Sequence, residues 1–199
     1  MIFERVNYKN YDIAIRVQNE IFPGEDATSA ILASVDRELF NKNSKLFKNI
    51  SNIRYYLVKV DDNYIGITGL YSLKKYKEDV WLGWFGVLKE YRNLGYGTKI
   101  LNTTLKIAKQ QGYKNIRLYT GKYSNKEALS LYNKFKFITE DYNCENLYYD
   151  CVICSKCLLD HKIDLWNNKN IDISDDFISF NINNELLEMF NKKKEIYEK

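Results

Sequence analysis

A chain of 199 residues with 45% hydrophobic and 28% charged residues has the composition of one globular domain with a sizeable core, and a second full domain would be cramped. A net charge of +4 is mild, and no basic stripe with interleaved aromatics runs along the chain, so a nucleic-acid partner is set aside. The first residues, Met-Ile-Phe-Glu-Arg, carry no basic region followed by an apolar run. No stretch approaches the ~18 apolar residues of a membrane span, so the expectation is a cytoplasmic protein without a membrane partner.

Taken in order, Met1–Val6 reads as a strand, and Asp12–Phe22 as a helix with Ile13, Val17 and Ile21 inward, stopped by Pro23-Gly24. A second helix is expected from about Ser29 to Asn41, with Ile31, Leu32, Val35 and Leu39 as its apolar face. The loop between the two carries Glu25 and Asp26, with Glu20 just before it. Ile53–Val60 and Tyr64–Tyr71 form a hairpin about Asp61-Asp62-Asn63. A charged loop, Lys74–Glu78, leads into a strand from near Asp79 through Trp81, Leu82, Trp84, Phe85 and Val87.

Beyond Val87 a short charged turn reaches Arg92-Asn93-Leu94-Gly95-Tyr96-Gly97, and after Gly97 the pattern turns helical through Ile100, Leu101, Leu105 and Ala108. A strand, a glycine loop and a helix N-terminus make an anion site. The first helical N–H groups lack partners, the dipole is positive there, and missing side chains let a ligand reach the backbone. Two familiar anion loops fail. Gly97 is followed by Thr98-Lys99 rather than Lys-Ser/Thr, and a dinucleotide fingerprint would need glycine where Ile100 stands.

What remains, R-x-x-G-x-G directly after a strand ending at Val87, resembles the pyrophosphate loop of the GNAT superfamily of acyl-CoA-dependent N-acetyltransferases. A second block follows in the right order. After a strand at Ile116–Thr120, the run from Asn125 to Phe137 reads as a helix with Ala128, Leu131, Tyr132 and Phe135 on one side. It resembles the family's later motif, in which an Asn begins a helix and a Tyr seven residues on reaches the departing thiol. The family's Gly after this helix is replaced by Lys136, a residue that meets a steric cost in the left-handed region.

The resemblance implies a mixed, mostly antiparallel sheet flanked by helices over residues 1–159, of the α/β (α+β) class. It implies acetyl-CoA as co-substrate, direct attack by a primary amine, and three roles to fill: an oxyanion donor, a proton for the leaving sulfur and a base. By resemblance, the backbone of Phe85, Gly86 and Val87 holds the pantetheine arm, and Arg92, Asn93, Leu94, Gly95, Tyr96, Gly97 and Thr98 hold the pyrophosphate, with Asn125 beside the cofactor and Tyr132 as the acid. The base is less evident. The family's positions fall near Trp81 and Thr120, neither basic, and Asp79, two residues before Trp81 on the same strand face, is the carboxylate able to act through water. An acceptor of pKa ~10.4 is neutral about once in 2,500 molecules near pH 7, an α-amine of pKa ~7.8 roughly one time in seven. A site short of a base therefore suits a weakly basic acceptor. Trp81, Trp84, Tyr55, Tyr56 and Tyr71 are candidates for an aromatic acceptor wall or for core, and Glu20, Glu25 and Asp26 for amine binding or for solvated surface. A catalytically silent acyl-CoA-binding or interaction module on the same fold stands as the alternative.

Phe137–Tyr142 and Leu147–Leu158 read as a last hairpin, which bears on the cysteines. Cys151, Cys154 and Cys157 form C-x-x-C-x-x-C, but in a strand residues three apart face opposite ways, so free thiols and no metal are expected. Residues 160–199 read as an appendage packed on the domain or on a second subunit of a homodimer. Within it Phe177–Ile182 is a candidate strand and Asn184–Lys199 a candidate helix with Leu186, Phe190 and Tyr197 on one face and Lys192, Lys193 and Lys194 toward solvent.

Overall fold

The chain forms an eight-stranded sheet, whose central strands are buried on both faces, in the computed structural model, which describes residues 1–39, 49–142, 151–159, 161–166 and 184–197. Its strands are β1 (Ile2–Arg5), β2 (Ile50–Val60), β3 (Asn63–Leu73), β4 (Asp79–Leu82), β5 (Gly86–Val87), β6 (Asn115–Gly121), β7 (Ile138–Asp141) and β8 (Cys151–Cys157). The order is β1-β2-β3-β4-β6-β8-β7, with β5 also on β3. Only β4 and β6 run parallel; the other pairs are antiparallel. This is the mixed, mostly antiparallel sheet expected. The β2–β3 hairpin turns on Asp61 and Asp62, both with positive φ (46° and 66°), the backbone that a two-residue turn needs to match the strand twist.

Helices cover both faces: α1 (Tyr11–Ile21) and α2 (Thr28–Val35) on one, α3 (Tyr96–Gln110) and α4 (Lys126–Lys134) on the other. Alternation decides which strand residues meet which layer. Tyr55, Ile67, Trp81 and Ile153 pack toward α1 and α2, while Leu70, Val80, Leu82, Ile116, Leu118, Val152 and Cys154 pack toward α3 and α4. The second helix is broken at Asp36, whose carboxylate accepts from the Leu39 N–H and the Tyr8 hydroxyl; residues 37–39 are helical again, and 40–41 lie outside the described residues.

The strand expected to run unbroken from Asp79 to Val87 is interrupted. Between the pairs Leu70–Leu82 and Ile67–Gly86, three residues of this chain oppose two on β3, so Gly83–Phe85 form a bulge. Tyr55 is the cause on the α1–α2 side. Its buried ring lies where a Cβ on Gly69 or Gly83 would meet it at 2.2 and 2.4 Å, and its hydroxyl accepts from the Trp84 N–H at 3.4 Å.

The C-terminal helix α5 (Asn184–Tyr197) packs on this same domain. Phe190 and Leu186 are buried, and the Phe190 ring lies 4.9 Å from both Tyr8 and Tyr11. Lys192 and Lys193 are exposed as expected, Lys193 pairing with Asp36 at 2.5 Å, whereas Lys194 is half-buried and pairs with Asp12 at 2.5 Å. Trp166, unremarkable in the sequence, is fully buried, with its ring 4.9 Å from Trp81 and 5.1 Å from Tyr76. The candidate strand at Phe177–Ile182 lies outside the described residues.

Candidate functional site

Parallel pairing of β4 with β6 lasts only from Asp79–Asn115 to Trp81–Arg117. Past that point the two halves of the sheet part. The chain bulges at Gly83–Phe85 and continues as β5 on β3 alone, while β6 runs on with β8 as far as Gly121–Cys151. Among the described residues β5 therefore has a strand on one side and none on the other, so backbone groups of residues 85–87 directed away from β3 have no strand partner there. An extended ligand arm laid in such a split meets the sheet as another strand would.

The glycine loop sits at the mouth of the split. Leu88 follows β5, and the Arg92 Nε–H donates to the Val87 carbonyl at 2.9 Å, tying the loop to the strand end. Asn93 and Gly95 both take positive φ, 61° and 79°, and Gly95 is the residue from which α3 starts. Asn is the side chain that best tolerates this region, and Gly has no penalty there. Arg92, Asn93, Leu94, Gly95 and Thr98 are exposed, with Tyr96 and Gly97 half-buried. At Gly97 a Cβ would meet nothing closer than Leu131 Cδ2 at 3.7 Å. On that side the first turn of α3 faces Leu131 of α4, without a backbone in its way.

Tyr132 comes from α4 into the same region. It is buried, and its ring lies 6.3 Å from Phe85 and 5.6 Å from Phe137. Its hydroxyl makes no hydrogen bond among the described residues. Burial, with a smaller contribution from Cys154, pushes the phenol well above its ordinary value, as burial does for Tyr55. Asn125 stands exposed at the start of the helix without a side-chain cap, about 10 Å along the axis from Tyr132.

Those two shifts carry a consequence for stability. The fold keeps both phenols protonated, whereas in the unfolded chain they ionise near pH 10. Stability is therefore full below about pH 10 and falls above it, by up to about 1.4 kcal/mol per pH unit for each group. Urea midpoints on either side of that pH should show the fall, and Tyr55→Phe should make it shallower.

Lys136 adopts the left-handed conformation that glycine would, with φ 60°. Its N–H donates to the Asn133 carbonyl, and the Phe137 N–H to that of Tyr132, so the turn that anchors Tyr132 survives the substitution. Lys136 is exposed. Lys136→Gly is expected to gain about 1 kcal/mol, read as a raised urea midpoint.

Asp79 is placed differently from the sequence expectation. It lies at the closed end of β4, 3% exposed, with Oδ1 accepting from Asn115 Nδ2–H at 2.8 Å and Oδ2 from Arg117 Nε–H at 2.7 Å. Arg117 is fully buried, and its other N–H groups donate to Ser155 Oγ and the Asp164 carbonyl. Protonating Asp79 would leave a buried guanidinium without its counter-ion. The reading of Asp79 as a base is corrected on that ground: it is an ion-pair partner.

The α1–α2 face of the split is aromatic. Trp81 and Tyr71 stack at 6.3 Å, and Phe22 meets Trp84 edge-on at 5.0 Å. Tyr55 belongs to the core below them. Tyr56 is opposite Thr68, whose hydroxyl bonds Thr104 of α3, so its place is on the other face. Asp26 Oδ1 accepts the Thr28 N–H at the start of α2, and Glu20 and Glu25 are exposed. One buried carboxylate was missed. Glu140, 8% exposed on β7, lies in register with Ile153 and through it with Tyr119, and its Oε2 accepts the Trp166 N–H at 2.9 Å. A Glu in a short edge strand reads as solvent-facing, so only the burial of Trp166 against it gives the signal.

β8 is the strand expected over Cys151–Cys157, while residues 147–150 of that expectation lie outside the described residues. Cys154 packs with Val152 toward α3 and α4, whereas Cys151 and Cys157 share the parity of Ile153 and face the other way.

A family model described as the acetyltransferase (GNAT) family matches residues 23–137. Among solved structures, the chain is similar to a Desulfovibrio desulfuricans protein assigned as an acetyltransferase of the GNAT family, with 16% identity, a TM-score of 0.63, and 79% of this chain and 99% of that one covered. It is also similar to a chimera of the Vibrio cholerae spermidine N-acetyltransferase SpeG and hSSAT, with 14% identity, a TM-score of 0.60, and coverage of 79% and 96%. The ribosomal-protein-S18-alanine N-acetyltransferase of Escherichia coli aligns with 12% identity, a TM-score of 0.57, and coverage of 83% and 98%. No curated protein sequence matches.

Proposed function

Since the chain belongs to the GNAT acetyltransferase family, we propose that it moves an acetyl group from acetyl-CoA to a primary amine by direct attack on the thioester. The observation that carries this reading is the convergence of three features on one split: the side of β5 that pairs with no described strand, the N-terminus of α3 at Gly95–Gly97, and the Tyr132 phenol beside Phe85. The pyrophosphate would lie on the N–H groups around Gly97, with Arg92 and Asn93 beside it, and the pantetheine along residues 85–87. Asn125 borders the same cleft from α4.

Tyr132 is the acid for the leaving sulfur. Burial holds the phenol protonated, and the same dry surroundings raise the basicity of the thiolate formed there, so donor and acceptor are displaced in the same direction. The amine approaches from the α1–α2 face, where the half-buried Trp84 and Tyr71 offer ring faces and Glu140 a negative charge, a combination suited to a cation. With Asp79 held by Arg117, the amine loses its proton to water or arrives neutral, which favours weakly basic acceptors. Among the described residues beyond Leu159, Trp166 and α5 pack on the core of the α1–α2 side and belong to the same unit.

The engaged Asp79 also favours a second reading, a module that binds acyl-CoA without turnover. A panel of α-amines, polyamines and lysine-like amines, scored by CoA release and by mass of the acetylated product, separates the two. Turnover on one class supports the transferase, and none on any class leaves the binding module.

A further inference from the structure

Trp166 stands where the acceptor side of the split comes to its end, and strand register fixes that place. On the α1–α2 face, Trp81 and Arg117 form the last paired row of β4 and β6. The next row toward the open end is Tyr119, Ile153 and Glu140, where β4 no longer pairs with β6. The Trp166 ring covers the first row, 4.9 Å from the Trp81 ring and 5.4 Å from the guanidinium carbon of Arg117. Its backbone N–H is tied to Glu140 in the second row at 2.9 Å. Tyr76, from the loop that enters β4 at its closed end, meets the same ring edge-on at 5.1 Å. The indole is therefore an end wall, with the closed sheet behind it and the split in front.

This wall is held by its neighbours rather than by its own polar atom. Arg117, itself fixed by Asp79, donates from Nη2 to the Asp164 carbonyl at 2.7 Å, two residues before Trp166. With the bond to Glu140, the backbone is pinned at two points to two different strands. A buried indole N–H ordinarily finds an acceptor. Those of Trp81 and Trp166 are both buried without one among the described residues. Two neighbouring rings that leave their donors unmatched are a cost that core packing alone does not call for, and natural chains break the rule of satisfied polar groups mainly at functional sites.

We propose that Trp166 is a specificity-determining residue of the acceptor site: its ring limits how large a group the amine can carry toward the closed end of the split. The inference rests on the transferase reading above and narrows its substrate class to weakly basic α-amines with a small side chain. A larger side chain would have to displace a ring that is pinned through its backbone and stacked over a buried guanidinium. The packed surroundings leave that displacement costly, because a close-packed interior does not yield by degrees.

The test uses the full chain with glycinamide, alaninamide and phenylalaninamide as probes, scored by CoA release. All three present a weakly basic α-amine, so the size of the side chain is what changes along the series. The wild type is expected to prefer glycinamide and alaninamide. Trp166→Ala should raise the kcat/KM ratio of phenylalaninamide to alaninamide about tenfold or more, the scale on which an apolar pocket discriminates by fit. Trp166→Phe should fall between, and Trp166→Leu replaces the alanine variant if urea unfolding shows the latter too unstable. A general loss of packing would lower turnover on all three amines together and leave the ratio alone. A ratio within about threefold of wild type therefore overturns the inference, as does a wild type that accepts phenylalaninamide as readily as alaninamide. Turnover by the wild type on polyamines alone overturns it too, while leaving the transferase reading in place. No turnover by the wild type on any amine overturns both.

Discussion

Tyr132→Phe is expected to lower kcat roughly 100- to 10,000-fold while the affinity for acetyl-CoA changes little. Phenylalanine keeps the ring contacts with Phe85 and Phe137 and loses only the hydroxyl, which makes no hydrogen bond among the described residues. The variant should therefore fold as well as the wild type. What it cannot do is give a proton to the leaving sulfur. Steady-state turnover on the amine found by the panel, paired with cofactor titration, measures both quantities. A kcat within about threefold of wild type, with chemistry limiting the rate, would remove Tyr132 from the mechanism. Unchanged kcat with weakened cofactor binding would make it a wall of the pantetheine channel.

Arg117→Leu should destabilise the protein by about 3–5 kcal/mol, because it leaves the Asp79 carboxylate buried without its cation. Besides Asp79, the substitution strips the donor from Ser155 and the Asp164 carbonyl and removes the guanidinium 5.4 Å from the Trp166 ring. The pair also ties the parallel strands together, from Asp79 at their closed end to Arg117 at their last paired position, so the loss should loosen both the split and the packing of Trp166 over it. Asp79→Leu combined with Arg117→Leu should be less damaging than Arg117→Leu alone, since no charge is then left unpaired. Urea unfolding of the three variants measures this. A single variant within about 1 kcal/mol of wild type would mean that water reaches Asp79 and the ion pair contributes little.

Much of the fold was legible because its signals are local. The Asp61-Asp62 turn, the helical spacing after Gly97 and the alternation along β8 each arise from neighbours in sequence. The shape of the glycine loop at Arg92–Gly97 was legible for the same reason, as six consecutive residues form it. What escaped depended on distant partners. The break in the strand at Gly83–Phe85 needs the Tyr55 ring from β2, and nothing near Trp84 announces it. Asp79 looked available because its partner, Arg117, is 38 positions away. Trp166 sits in a polar run whose pattern is neither helical nor extended, and only its burial against Trp81 and Glu140 reveals its part. Lys194 read as solvated charge, yet it is half-buried and Asp12 awaits it across the chain. Lys136 was legible as a departure, but the outcome was not. Capping hydrogen bonds hold the left-handed turn against a modest steric cost.

The most direct measurement is calorimetric titration of acetyl-CoA into the wild type and Gly97→Val. Valine in the first turn of α3 meets no backbone, the nearest atom to its Cβ being Leu131 Cδ2 at 3.7 Å, and a helix interior accepts Val at least as well as Gly. The fold should be intact by circular dichroism. The branched side chain would stand where the pyrophosphate must approach the α3 N–H groups, and each charge-assisted hydrogen bond lost costs about 1.5–3 kcal/mol. The expected result is binding by the wild type and an affinity at least about tenfold weaker in the variant. A folded Gly97→Val protein that binds acetyl-CoA as tightly as the wild type would contradict the placement of the cofactor on this loop, and with it the site.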